Sequence, residues 1–304
     1  MSSSASVTDT SDRLAGEQPE LVDLQTHTIR KSPAETLADL SSACQRLGID
    51  TFDVYGDFDF RDQSYLRQFE AEVAECFGKE DAVFCLSGGM AQSIVLAINA
   101  KKCTTPNSSK KKAAFACHPT SHLLLHENNA YSELLGMEAV IIGDSQNEYN
   151  PDVLKENGCY GMEPIRLSHV EDLLNATNDT ATLTYPNRIP IHNLTANEGE
   201  DAVLSTLIIE LPHREIGGKL TPWDEVEEIS HICRSNDIHY HCDGARIFEA
   251  SAGYGHESVK ETAEPFSTIY ISFYKGLGSV CGAMLIGDSE FCQEARLWLT
   301  LYYP

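Results

Sequence analysis

The sequence predicts an α/β domain built on a mostly parallel central sheet flanked by helices. Three observations carry that expectation: short apolar, β-prone runs recur along the chain, amphipathic helical patterns separate them, and 42% of the 304 residues are hydrophobic, enough for a sizeable core. Pervasive disorder, collagen and coiled coil do not fit this composition.

Taken in order, residues 1–25 lack apolar periodicity and read as a disordered N-terminal tail. From Ser64 to Phe77 the apolar residues Leu66, Phe69, Val73, Ala74 and Phe77 fall at helical spacing, and Gly78 is the expected stop. A β-prone run, Asp81 to Leu86, breaks at Ser87-Gly88-Gly89, and Met90 to Ala100 reads as helix. Strand, glycine turn and helix in that order can grip a phosphate. Lys101 to Lys112 is polar loop, Ala113 to Cys117 strand, and His122 to Leu135 one helix. Further strands are expected at Ala139 to Ile142, Leu204 to Glu210, Ile238 to Cys242 and Thr268 to Phe273, with a helix over Trp223 to Ser235. The polar stretch 143–162 is expected to be a long loop or insertion.

Charge narrows the partners. With 22 Lys and Arg against 46 Asp and Glu, the net charge is −24, so polyanions meet long-range repulsion. Nucleic acid and membrane are not expected partners. The ten cysteines form no CxxC pair and several sit in apolar runs, as reduced thiols do. The N-terminal stretch lacks the basic and apolar blocks of a signal peptide, and no run reaches the ~18 apolar residues of a membrane span. A cytoplasmic protein is the expectation.

In open α/β sheets, ligands bind beyond the carboxyl ends of the strands. Asp243 follows the run Ile238 to Cys242, and Lys275 follows the run Thr268 to Phe273, 32 residues later and about one crossover away. The Ser87-Gly88-Gly89 turn is the third candidate group. A desolvated lysine can form a Schiff base. A carboxylate can hold a pyridine nitrogen protonated, and a glycine turn before a helix can donate N–H groups to a phosphate. Together they meet the needs of pyridoxal 5′-phosphate, although Lys-Gly and Asp-Gly pairs taken singly also mark ordinary turns. His118, His122 and His126 are spaced by four, but without a nearby carboxylate or a distant His they do not suggest a zinc hydrolase, and Pro119 interrupts a continuous helix.

Several motifs resemble one family in order and content: Asp53-Val54-Tyr55-Gly56, Phe77-Gly78-Lys79-Glu80, Ser87-Gly88-Gly89-Met90, Ser121-His122 with Glu127, Gly217-Gly218, His241 to Ala250, and Lys275-Gly276-Leu277-Gly278. They resemble the threonine aldolase and β-eliminating lyase family of pyridoxal-phosphate enzymes, over residues 50–295 or so. The resemblance implies the aspartate-aminotransferase-type fold and sites at the interface of a homodimer or homotetramer. It implies an N-terminal arm over 26–60, a cofactor-binding large domain over 61–295, and at 296–304 the start of a C-terminal small domain that is largely absent.

By the same resemblance Lys275 is the Schiff-base lysine, Asp243 the partner of the pyridine nitrogen, and Arg246 supports that site. His122 stacks on the cofactor ring, Ser87, Gly88 and Gly89 hold the phosphate, Tyr55 lies near the site, and His213 is a substrate-side residue. Departures accompany the match. Ser-Gly-Gly replaces the family's Ser-Gly-Thr, Tyr274 replaces a Ser before the lysine, and Glu215 stands where an Arg would bind the substrate carboxylate, with Arg214 adjacent as a substitute. The expected activity is retro-aldol cleavage of a β-hydroxy amino acid to glycine and an aldehyde. The alternatives are β-elimination on another amino acid and a truncated, non-catalytic homologue that binds the cofactor or a partner chain.

Overall fold

The apolar runs assemble into one seven-stranded sheet in this computed structural model, which describes residues 31–50, 64–103, 112–143, 162–178 and 202–302. The strands are β1 (Asp81–Cys85), β2 (Lys112–Cys117), β3 (Glu138–Ile141), β4 (Ala202–Glu210), β5 (His239–Asp243), β6 (Thr268–Ser272) and β7 (Ala283–Gly287). Their order is β1-β7-β6-β5-β4-β2-β3; β6 to β3 pair in parallel, and β7 runs antiparallel to both β6 and β1. The α/β class and the mostly parallel sheet expected from the sequence are both present. β7 is not among the predicted strands. Every residue of it is buried, so its short apolar run lacks the alternation that marks a half-exposed strand.

The helices are α1 (Pro33–Leu47), α2 (Tyr65–Phe77), α3 (Gly88–Cys103), α4 (His122–Leu125), α5 (Ala130–Glu133), α6 (Leu167–Asn178), α7 (Trp223–Ser235), α8 (Ile247–Tyr254), α9 (Val259–Ala263) and α10 (Ser289–Tyr302). α2 starts where the Ser64 side chain accepts the Arg67 N–H, and it stops at Gly78, whose φ of 64° few other residues adopt cheaply. α7 has the limits the sequence predicts. The single helix expected over His122 to Leu135 is instead two short ones. Asn128 and Asn129 turn left-handed between them (φ 48° and 58°), a conformation asparagine tolerates, and this redirects His126 and Glu127. The tail and most of the 143–162 stretch lie outside the described residues.

Alternation along the strands sorts side chains onto two faces. On one, Leu207, Ile209, Cys242 and Ile271 pack with Phe77 of α2 and Ile229 of α7. On the other, Tyr270 and Leu285 pack with Ile94 and Ile98 of α3 and with Phe291 of α10. α3 is apolar nearly all round, as a helix enclosed on several sides must be, and its fully buried Ile side chains each contribute about 2–3 kcal/mol. Among the described helices none is long and apolar enough to cross a membrane.

α10 runs unbroken from Ser289 to Tyr302 and packs on this sheet. Arg296 ties it down: its guanidinium grips Asp81 of β1 at 2.6 and 2.8 Å and reaches Glu70 of α2 at 3.1 Å, while Glu70 also accepts the Phe84 N–H at 2.8 Å. Removing one partner strands the others in a buried setting. Arg296→Leu is expected to cost about 3 kcal/mol, seen as a lower urea midpoint at unchanged slope. An unchanged midpoint would show that this network contributes nothing net.

Candidate active site

The carboxyl ends of β4, β5 and β6 carry, in turn, Glu210, Asp243 and the turn that holds Lys275. β4 and β5 run in register with Glu210 opposite Asp243, so two carboxyl side chains stand side by side on the face toward α3. Asp243 is only 4% exposed. Its Oδ2 accepts from the Gln92 side-chain amide of α3 at 2.6 Å and its Oδ1 from the Ala245 N–H at 3.2 Å, which fixes the carboxylate plane. Gly244 follows because the Tyr270 carbonyl lies 2.9 Å from where a Cβ would stand. The Lys275 amine sits 5.9 Å from the Tyr270 ring centre and 6.0 Å from that of Tyr274, over both aromatic faces. Arg246, at the start of α8, is 9% exposed; burial and Arg214 pull its pKa down while Glu249, Glu210 and Asp243 oppose that.

The glycine turn opens α3, with the Ser87 hydroxyl accepting the Met90 N–H at 3.3 Å. Both glycines have close neighbours. A Cβ on Gly88 would lie 2.0 Å from the Tyr270 hydroxyl, and one on Gly89 would lie 2.6 Å from a Glu127 carboxylate oxygen. The other Glu127 oxygen lies 3.1 Å from His122 Nδ1, close enough for charge attraction, though the angle is too poor for a hydrogen bond. The His122 ring stacks obliquely on His126, centres 5.0 Å apart.

His213 is 2% exposed and its Nε2 meets the Thr120 hydroxyl at 2.9 Å. His118 closes the same chain. Its Nδ1 accepts the Thr120 N–H at 3.2 Å, so the proton resides on Nε2, which donates to the Glu163 carbonyl at 3.0 Å. Burial lowers the His213 pKa to about 4, so this imidazole is neutral at neutral pH. His118 is thereby turned away from His122 and His126, and no cluster of three or more metal-binding side chains exists among the described residues. Glu215 is bonded by His126 at 2.9 Å and by Arg214, and its pKa falls to about 2, first through the His126 hydrogen bond. Arg214, the expected substitute for the missing arginine, is therefore paired with the residue that replaced it.

Lys275, Asp243, Arg246, His213 and the glycine turn thus converge on the strand ends, with His122 beside the turn. Tyr55 lies outside the described residues. Glu210, Gln92 and Thr120 are site residues that the sequence pattern did not single out. Glu210 could have been found by the same strand-end rule as Asp243, since it closes the Leu204 to Glu210 run. Gln92 carries no sequence signal, because only the packing of α3 on β5 brings it to Asp243.

A family model for beta-eliminating lyases matches residues 47–302. The chain belongs to the beta-eliminating lyase family. Members similar to it include a low-specificity L-threonine aldolase of Candida albicans, 29% identical over 242 residues, covering 80% of this chain and 53% of that protein. An alanine racemase of Cochliobolus carbonum is 27% identical over 79% of this chain and 50% of its own. Among solved structures, a Listeria monocytogenes protein assigned as an L-allo-threonine aldolase superposes with a TM-score of 0.61 at 30% identity, over 92% of this chain and 63% of that one. This lyase-family chain spans about half the length of those two curated relatives.

Proposed function

We propose that this chain carries the large-domain half of a pyridoxal-phosphate-dependent lyase that cleaves a β-hydroxy amino acid into glycine and an aldehyde. The observation that supports it best is the buried, doubly held Asp243 at one strand end with the Lys275 amine at the next, beside a glycine-started helix, in a chain of the beta-eliminating lyase family. The residues fit the group: an anion fixed for a ring nitrogen, an amine on aromatic faces for an aldehyde, and N–H groups of a helix's first turn for a phosphate. Pyridoxal 5′-phosphate, when bound, supplies an electron sink for the pair released at the substrate Cα.

The chain's own residues do the rest. Lys275 would hold the cofactor through its amine, and Asp243 would keep a proton on the ring nitrogen by remaining anionic opposite it. The first turn of α3 would hold the phosphate at Ser87, Gly88 and Gly89. Arg246 would orient the substrate carboxylate, Arg214 being engaged by Glu215. His122 is better suited than His213 to take the substrate hydroxyl proton. It is partly exposed with the Glu127 carboxylate 3.1 Å away, whereas burial makes His213 a weak base. His213 would hold its place in the Thr120 and His118 chain and line the substrate side.

A homodimer or homotetramer is part of this reading, supported by α1, which buries no residue of its own and exposes Leu37 and Leu47 to 67% and 69%. So is a cytoplasmic location, supported by the free cysteines of the described residues. In wild type a visible cofactor band should form and borohydride should trap it covalently. Lys275→Ala should abolish trapping and reduce aldehyde release from threonine and its analogues to background. A folded wild-type chain that forms no band would leave the non-catalytic homologue as the better account. The alanine racemase relative favours a second reading, proton transfer at Cα without carbon–carbon cleavage. Chiral analysis of alanine after incubation decides it.

A further inference from the structure

We propose that Glu210 holds a proton in the cofactor-free chain and gives it up when a cationic ring nitrogen seats against Asp243. This rests on the cofactor reading above and adds a positioning residue to it. The geometry comes first. Glu210 ends β4 opposite Asp243 in register, on the same face of the sheet, so their carboxyl groups are neighbours. Its Oε1 accepts the Arg214 N–H at 3.1 Å. Its Oε2 is buried with no hydrogen-bond partner, and the nearest ring nitrogen, His213 Nε2, is 3.8 Å away and already engaged by Thr120. An anionic oxygen in that position is costly, whereas a carboxylic acid is less so.

The groups around Glu210 set the balance. Asp243 faces it from β5, with the Cys242 thiol behind it on the other face of the sheet, His213 and Arg214 from the segment after β4, Lys275 from the turn after β6, and Arg246 from the start of α8. Burial and the like charge of Asp243 push its pKa up to about 8, against the pull of Lys275 and Arg214. A cation opposite Asp243 cancels the like-charge part of that shift and attracts a second anion. The O–H bond at Glu210 then breaks and its proton goes to solvent, because a ring nitrogen that is already cationic has no lone pair to accept it. The complex therefore takes one proton fewer from the buffer than it would without Glu210.

The experiment is calorimetric titration of the cofactor-free protein with pyridoxal 5′-phosphate at pH 7.5 in two buffers of different protonation enthalpy, for wild type and Glu210→Gln. The variant keeps the shape and loses the proton. The proposal expects wild type to release at least about half a proton more than the variant. Equal counts in two proteins that both bind the cofactor would overturn the proposal and leave the lyase reading standing. No binding by folded wild type would overturn that reading and this inference with it. If Glu210→Gln does not fold, the ¹³C carboxyl resonance of Glu210 in wild type decides the same question. A midpoint near 8 that falls on cofactor binding supports the proposal, and an unmoved midpoint overturns it.

Discussion

Asp243→Asn is expected to lower the proposed turnover by about 10²–10³-fold or more while the fold is retained, on the scale of losing one charged partner in a buried site. The two halves of that expectation have separate causes. The substituted side chain keeps an oxygen for the Ala245 N–H but places an amide NH₂ against the Gln92 NH₂. Gln92 can answer by turning its own amide over, because its Oε1 is buried without a partner and would then accept from the introduced NH₂. Folding therefore loses little, and the melting temperature should shift by only a few degrees. What is lost is the negative charge that would keep a ring nitrogen protonated, and no other group replaces it at that atom. Steady-state rates beside a thermal melt check both halves. Undiminished turnover in a folded Asp243→Asn protein would sink the assignment of Asp243 to the ring nitrogen.

The cofactor-free protein is expected to be most stable near pH 6.5 and to lose roughly 4 kcal/mol per pH unit below it. His213 and His241 are lowered to about 4 and His239 to about 3, in each case first by burial. The Thr268 hydroxyl bridges the last two, at 2.7 Å from His239 Nε2 and 2.8 Å from His241 Nδ1. With both rings neutral it donates to one and accepts from the other, and His241 Nε2 is buried with no partner for a further proton. Below the ordinary histidine value of 6.5 the unfolded chain takes up four protons that the folded chain refuses, the fourth at His118, which burial also holds well below that value, so stability falls as pH falls toward 4. Glu210 acts in the opposite sense. Raised to about 8, it binds a proton in the folded state that the unfolded chain has lost, so stability also declines as pH rises from 4.5 to 8. Each group changes stability by about 1.4 kcal/mol per pH unit in its window, and four against one leaves the acid limb dominant between pH 4.5 and 6.5. Urea unfolding at half-unit pH steps would show it. A flat profile from pH 7 to 5 would mean that the four imidazoles are not held neutral.

Local pattern determined much of this protein. The alternation of apolar runs with helical spacing, the stop at Gly78, the limits of α7 and the strand ends bearing Asp243 and Lys275 are all readable from the chain, because each depends on residues within a few positions of one another. The family's motifs sharpened that reading. Tertiary structure decided the rest, wherever distant segments share one environment. β7 is a strand because β1 and β6 close on both its edges. His122 to Leu135 breaks because His126 and Glu127 are drawn to Glu215 and to the glycine turn, and two asparagines allow the bend. Gln92 reaches Asp243 across 151 positions, and Arg296 reaches Asp81 across 215. Glu210 was legible as a strand end, but its charge was not. Whether that carboxyl group is ionised depends on a second carboxylate 33 residues away and on exclusion of water, and both exist only once β4 and β5 lie in register.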